Sequence, residues 1–308
     1  MPSIDISWDV YARDRLSEHK IAKGLLARLL RSKQLVLLLG AGASADMGLP
    51  DWNGLVQACA GQLGDTKDYS TVTSAADLMR EVDRLRRTYD RSDEEMFEIV
   101  RAALYGPAAA DPSPQHSFDV SRNPLLSALG ALMMASARGS AGEVFTLNFD
   151  DLLEWYLDLH GFSSEVVSDL PSTLRGDVDV HVFHLHGFLP LMRSRYTASS
   201  WMVLSQRELE KRLAKSATYA WETLLVSRMQ SKVFLAIGTS MSDTDIKVSF
   251  ERANEHEKIN RPLGFVLGKH DPDKVRELRE AELVPVSFDD YAEIPTFLLE
   301  VCQMASRL

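Results

Sequence analysis

LVLLLGAGASADMGLPDW, residues Leu35–Trp52, decides the fold class. Its five leading apolar residues read as a strand covered on both faces, the pattern of a parallel sheet flanked by helices. The strand empties into Gly40-Ala41-Gly42-Ala43-Ser44, and a second turn follows at Gly48 and Pro50. Glycine at positions 40 and 42 removes the Cβ atoms that would hold a phosphate away, and leaves amide N–H groups as donors. The stretch therefore predicts a nucleotide at the mouth of an α/β sheet.

Similar short apolar runs recur at Val144–Leu147, Val180–Leu185, Val233–Ile237, Leu263–Leu267 and Leu283–Phe288. Helical spacing separates several of them, at Gln206–Gln230 and Asp273–Ala281, and precedes the first at Tyr11–Arg31. Strand, helix and strand in alternation predict a Rossmann-like parallel sheet with right-handed crossovers. After the first strand the rhythm breaks for about a hundred residues. Helical patterns at Ala75–Thr88, Asp93–Leu104 and Pro124–Ala137, with a turn-rich stretch at Gly106–Pro114, predict a helical insertion over about 55–140. No repeat or low-complexity tract divides residues 1–308, so a single domain is expected.

The chain has 308 residues, 45% of them hydrophobic and 25% charged, with a net charge of −10. That balance argues against direct nucleic-acid binding through the protein's own field. Cys59 and Cys302 lie far apart, without the spacing of a cysteine zinc site or a disulfide framework. No metal is expected. The N-terminus shows no signal peptide, and no apolar run approaches the roughly 20 residues that span a bilayer. A cytoplasmic protein without a membrane partner is the expectation.

Four motifs carry chemistry, and each has a plainer alternative. GAGASADMGLPDW fits the GxGxxA fingerprint of dehydrogenases, or a tight turn with no ligand. No second strand with an acidic end follows where a dehydrogenase needs one, and no GK[ST] follows as in a Walker loop. Asn148 and Asp150, in Thr146-Leu147-Asn148-Phe149-Asp150-Asp151, would face a ligand with a ribose hydroxyl and a carboxamide, or simply cap a helix. In Val182-Phe183-His184-Leu185-His186-Gly187 either histidine could move a proton near neutral pH, remain structural, or join a thinly supported metal pair. Gly238-Thr239-Ser240-Met241-Ser242-Asp243-Thr244-Asp245 offers hydroxyls and amides to a phosphate, or a cap from Ser242 or Asp243 to the next helix.

The order GAGxS, GxPDW, NxD, HG, GTS, each at a strand end, resembles the sirtuin catalytic domain over roughly residues 33–290. The resemblance implies NAD+ as substrate. Gly40, Ala41, Gly42 and Ser44 would lie against the pyrophosphate, with Asp51 and Trp52 beside the nucleotide. Gly238, Thr239 and Ser240 would hold the phosphate and the adenosine side. Asn148 would meet the nicotinamide ribose or a water, Asp150 the carboxamide, and His186 would act as general base. Three departures stand out. Two cysteines cannot build the four-cysteine zinc ribbon of deacetylase sirtuins, Trp52-Asn53 replaces the usual Phe-Arg, and Val266-Leu267-Gly268-Lys269 lacks the usual asparagine.

The zinc-free pattern is similar to the sirtuin-like NADases of bacterial antiphage defence. It implies an NAD+ glycohydrolase that depletes NAD+ and is gated by assembly or by a partner such as an ATPase or Argonaute-like protein. The alternatives are a zinc-free deacylase or ADP-ribosyltransferase, and a non-catalytic NAD or ADP-ribose sensor. A homo-oligomer is expected, because the N-terminal helix has no role in the catalytic layout. The apolar stretch Leu125–Ala135 supports the same expectation, although most of it should close the core of the insertion beneath the nucleotide.

Overall fold

Every residue of the first strand is buried, and the strand lies inside a seven-stranded sheet whose neighbours all run parallel. The computed structural model describes residues 8, 13–69, 72, 75–110, 118–170, 172–191, 193, 195–199, 201–205, 207–209, 216–255 and 261–308. The chain begins α1 (His19–Arg31), β1 (Leu35–Leu39), α2 (Trp52–Gln62), α3 (Ala75–Thr88), α4 (Asp93–Tyr105) and α5 (Pro124–Met133). It continues β2 (Glu143–Thr146), α6 (Leu152–Leu159), β3 (Ser164–Val167), β4 (Val180–His184), α7 (Ser216–Ser231) and β5 (Val233–Ile237). It ends α8 (Thr244–Glu255), β6 (Gly264–Gly268), α9 (Pro272–Glu280), β7 (Leu283–Ser287) and α10 (Ile294–Ala305).

The strand order is β3-β4-β2-β1-β5-β6-β7. Alternation along β1 sends Leu35, Leu37 and Leu39 to one face and Val36 and Leu38 to the other. On the first face α1, α5, α6 and α10 complete the core; on the second, Trp221, Leu225, Ile246, Phe250 and Leu278 of α7, α8 and α9 do so. This is the Rossmann-like α/β fold that the apolar runs predict.

From β1 the chain steps to β2 on one side, and it later reaches β5 on the other. The edges of β1 are thus the switch point of the sheet, where open α/β sheets hold ligands beyond the strand ends. Register makes that place level. Leu39 stands opposite both Thr146 and Ile237, and Thr146 opposite His184. Backbone bonds extend the level one residue further: Gly40 N–H to Ile237 O at 3.0 Å, Leu147 to Leu39 at 2.9 Å, Leu185 to Thr146 at 2.9 Å. Gly40, Leu147, Leu185 and Gly238 therefore leave the sheet at one height.

Several expectations need correcting. Strand limits shift by a residue, as in Glu143–Thr146 and Gly264–Gly268. β3 is an edge strand with only Val167 buried, so it carries no apolar run to read. The expected helix Tyr11–Arg31 begins at His19, after a 3-10 turn at Arg13–Ser17, and residues 11 and 12 lie outside the described residues. Of Gln206–Gln230, residues 206 and 210–215 also lie outside them, as do 111–114 of Gly106–Pro114. The helix expected over Pro124–Ala137 ends at Met133. Its main neighbour is α10, and its buried side chains share one core with the sheet and with Leu78, Val100 and Leu104 of the insertion helices. Leu126, Leu129, Leu132 and Met133 are buried within the chain, which removes that helix as a reason to expect an oligomer. The same holds for α1, which packs on α10.

Candidate active site

One wall of the site is backbone. A Cβ at Gly40 would stand 2.6 Å from the carbonyl oxygen of Gly238, and one at Gly42 would stand 2.8 Å from Gly238 Cα. Gly238 itself has φ +68°, and a Cβ there would lie 2.4 Å from the Ala43 nitrogen. Real Cβ contacts do not come that close, so glycine at these three positions lets the β1 and β5 loops touch. The Gly42 N–H donates to Gly238 O at 2.8 Å, Ala43 to Gly40 O at 2.9 Å, and Ser44 to Ala41 O at 3.1 Å. These amides hold the turn together instead of pointing outward as free donors. Beyond Gly238 the Thr239 hydroxyl accepts from Met241 N–H at 3.0 Å, Ser240 and Ser242 are bonded to each other, and the Asp243 carbonyl accepts the first helical bond of α8.

The other wall is made of polar side chains. Ser44 sits between Asn148 and Asp150: the Asn148 amide donates to Ser44 Oγ at 3.2 Å, and Oγ donates to the Asp150 carboxylate at 3.1–3.2 Å. Asp150 also accepts from Leu152 N–H at 3.2 Å, so the residue takes part in starting α6 as well as facing the site. Burial, reinforced by the nearby Glu154 carboxylate, pushes Asp150 up from 3.8 to about 7. Asp151, fully buried, ties this loop to the insertion. Its carboxylate accepts from Leu191 N–H at 2.9 Å and lies 3.0 Å from the Tyr105 hydroxyl at the end of α4. Burial, with Asp151 beside it, raises the Tyr105 phenol well above the usual tyrosine range.

The two histidines behave differently. His184 is the last residue of β4 and is fully buried, with Nδ1 3.0 Å from the Asn148 carbonyl and Nε2 2.7 Å from Glu154 Oε1. Both ring nitrogens are engaged, so the metal-pair reading of the HxH sequence does not hold. His186 lies beyond the strand and reaches the cavity, while its carbonyl accepts from Val203 N–H at 2.8 Å. Gly187, at φ +104°, would place a Cβ 2.6 Å from Trp201 O; it lets the 201–203 segment pack close.

The walls enclose a cavity of about 430 Å³, within the range of small-molecule sites. Gly40, Ala41, Ser44, Asp51, Trp52, Asn148, Asp150, His186, Gly238, Thr239 and Ser240 all line it. Gly42 does not. Residues 142–286 match the SIR2-like domain family. The matched segment carries Asn148, Asp150, His186 and the loop from Gly238, while the β1 loop lies before it. A solved structure from work on the mechanism and regulation of Sir2 enzymes is also similar, at 14% identity and a TM-score of 0.44. It covers 92% of this chain and 97% of that chain. No curated protein matches.

Part of the lining carries no signal in the amino-acid pattern. Leu78 and Met79 of α3 and Leu104 of α4 close the cavity from the side of the insertion, Val203 joins them from the segment bonded to the His186 carbonyl, and their spacing reads as ordinary helix core or strand. Asn53 is another case. It lines the cavity where the sirtuin motif has arginine, and its amide donates to Tyr69 O at 3.1 Å and Val72 O at 2.6 Å. Asp51 caps α2 by accepting from Gly54 N–H at 2.8 Å. Among the described residues no group of three His, Cys, Asp or Glu is arranged to hold a metal, and Cys59 and Cys302 are both buried. Burial pushes the Cys59 thiol up to about 12. Among the described residues no helix is long and apolar enough to cross a membrane.

Proposed function

We propose that the protein hydrolyses NAD+ at the nicotinamide–ribose bond. Nicotinamide is cationic in NAD+ and leaves as a neutral base, so the bond breaks through an oxocarbenium-like state at the anomeric carbon. Water adds there, and nicotinamide, ADP-ribose and one proton are released. The observation that carries this reading is the convergence of Asn148, Asp150 and His186 on one cavity at the switch point. Asn148 places the ribose hydroxyl or the water, the Asp150 carboxylate accepts from the carboxamide, and His186 takes the proton. The pyrophosphate lies along Gly40, Ala41 and the loop from Gly238 to Ser240, with Asp51 and Trp52 beside the nucleotide. Gly42 contributes by packing the two loops, and Ser44 by joining Asn148 to Asp150.

Water is favoured over an acylated lysine because two buried cysteines on separate helices cannot supply the zinc ribbon that walls a peptide groove. The physiological reading, NAD+ depletion in antiphage defence with activity gated by assembly or a partner, rests on the NFDDLLE, HLHG and GTSMSD pattern. Incubating the pure protein with NAD+, with and without an acylated peptide, tests the chemistry. Equal amounts of nicotinamide and ADP-ribose without peptide are expected. Nicotinamide release that requires the peptide would favour the deacylase, and no release at all would leave a binding module.

A further inference from the structure

His184 is the last residue of β4, opposite Thr146 of β2, and Asn148 lies two residues past Thr146. A carbonyl oxygen only accepts, so the 3.0 Å contact between His184 Nδ1 and the Asn148 carbonyl places a proton on Nδ1. The other nitrogen faces Glu154 Oε1 at 2.7 Å, and that carboxylate comes from α6, one turn past the loop. Both side chains are fully buried, and Glu154 Oε2 has no hydrogen-bond partner among the described residues. A carboxyl group buried with one oxygen unpartnered is unfavourable unless something else requires it. The Phe188 ring, 4.3 Å from the imidazole between centroids, further restricts its orientation.

We propose that His184, oriented by Glu154, is a positioning residue for Asn148. It grips the Asn148 main chain from behind, so that the side-chain amide stays on Ser44 and faces the cavity. Neither residue lines the cavity, so neither touches substrate; they act through Asn148. The arrangement resembles a metal-bound histidine whose far nitrogen is held by a carboxylate, with a backbone carbonyl in place of the metal. The catalytic consequence rests on the NAD+ hydrolase reading, whereas the positioning itself does not.

The test compares Glu154→Ala with Glu154→Gln. Glutamine donates from its amide to Nε2 and leaves the Nδ1 proton on the Asn148 carbonyl, so it keeps the grip without the charge. Glu154→Ala is expected to lower kcat by about 10- to 100-fold, the range for outer partners of reacting groups. KM for NAD+ should hold, and Glu154→Gln should stay within a few-fold of the wild type. In parallel, the Asn148 side-chain amide resonances should move in Glu154→Ala and return in Glu154→Gln. If Glu154→Ala does not fold, those resonances and kcat in Glu154→Gln and His184→Gln decide. Glutamine at 184 can donate to the Asn148 carbonyl, so both variants should then keep the resonances and near-wild-type kcat. Unmoved Asn148 resonances in a folded Glu154→Ala would overturn the proposal. So would wild-type turnover there, a loss confined to KM, or Glu154→Gln failing like alanine. A wild type that releases no nicotinamide would sink the hydrolase reading alone, since the resonances still judge the positioning.

Discussion

The two walls of the cavity are built from different materials. The β1/β5 wall is backbone on backbone, with three glycines allowing two loops to interlock. The β2/β4 wall is built on polar side chains: Ser44 joins Asn148 to Asp150, and His184 joins Glu154 to the Asn148 carbonyl. The first kind of wall fixes shape: any added carbon meets main chain that cannot give way. The second kind fixes protons and charge, and its members can be exchanged one at a time without a steric clash. Damage to the first should therefore appear as lost stability, and damage to the second as lost chemistry.

The largest expected effect falls on the second wall. His186→Ala and Asn148→Ala should each lower NAD+ cleavage by about 10²- to 10⁴-fold, the usual cost of removing a general base or a positioned polar group. The fold should persist with at most a modest loss of melting temperature, because each substitution removes side-chain atoms and adds none that could clash. Steady-state nicotinamide release beside a melting curve checks both halves. Near-wild-type turnover in a normally melting variant would remove that residue from the site.

Gly238→Ala strikes the first wall. Its φ of +68° and the 2.4 Å approach to Ala43 N leave no place for a methyl group. A destabilisation on the order of 2–3 kcal/mol is expected from left-handed backbone strain plus overpacking. Urea unfolding measures it. An unchanged midpoint would mean that the loops interlock less tightly than described.

Asp150 sharpens the contrast, since it belongs to the chemical wall yet weakens the fold. Its folded pKa near 7 exceeds the ordinary 3.8, so between those values the native protein retains a proton that the unfolded chain has lost. The penalty is absent below about 3.8, grows as pH rises, and is complete above about 7. Asp150→Asn should then be more stable than the wild type by on the order of 1–3 kcal/mol at pH 8, with the gain vanishing near pH 4. Wild-type cleavage should fall as pH drops through about 7, when the acceptor carboxylate takes up its proton. Denaturation of both proteins across pH, beside a pH–rate profile, reads these together. A destabilised Asp150→Asn at pH 8 would contradict the burial argument.

How much of this was legible depended on how local the cause was. β1 and β5 were readable to the residue, because strands buried on both faces are continuously apolar. The edge strand β3 and the amphipathic α10 lack so plain a signal. The strand-end motifs marked the glycine and polar part of the lining, but not Leu78, Met79, Leu104 or Val203. Gly40 and Gly42 read as approaches to phosphate, whereas both also answer to the loop at Gly238, far away in sequence. The pairing of His184 with Glu154 was likewise invisible, since it joins residues 30 positions apart. The destination of the apolar helix α5 depended on α10, at the other end of the chain.

The smallest expected effect is none. Chelators should leave NAD+ cleavage unchanged, and elemental analysis of the purified protein should find no stoichiometric zinc. Stoichiometric metal would call for ligands beyond either wall.

Measuring NAD+ affinity and nicotinamide release side by side in His186→Ala tests the division of labour most directly. Calorimetry should find affinity within a few-fold of the wild type, because the backbone wall and Asp150 remain, while release is lost. Release at the wild-type rate, or loss of affinity in a protein that still melts normally, would contradict the account.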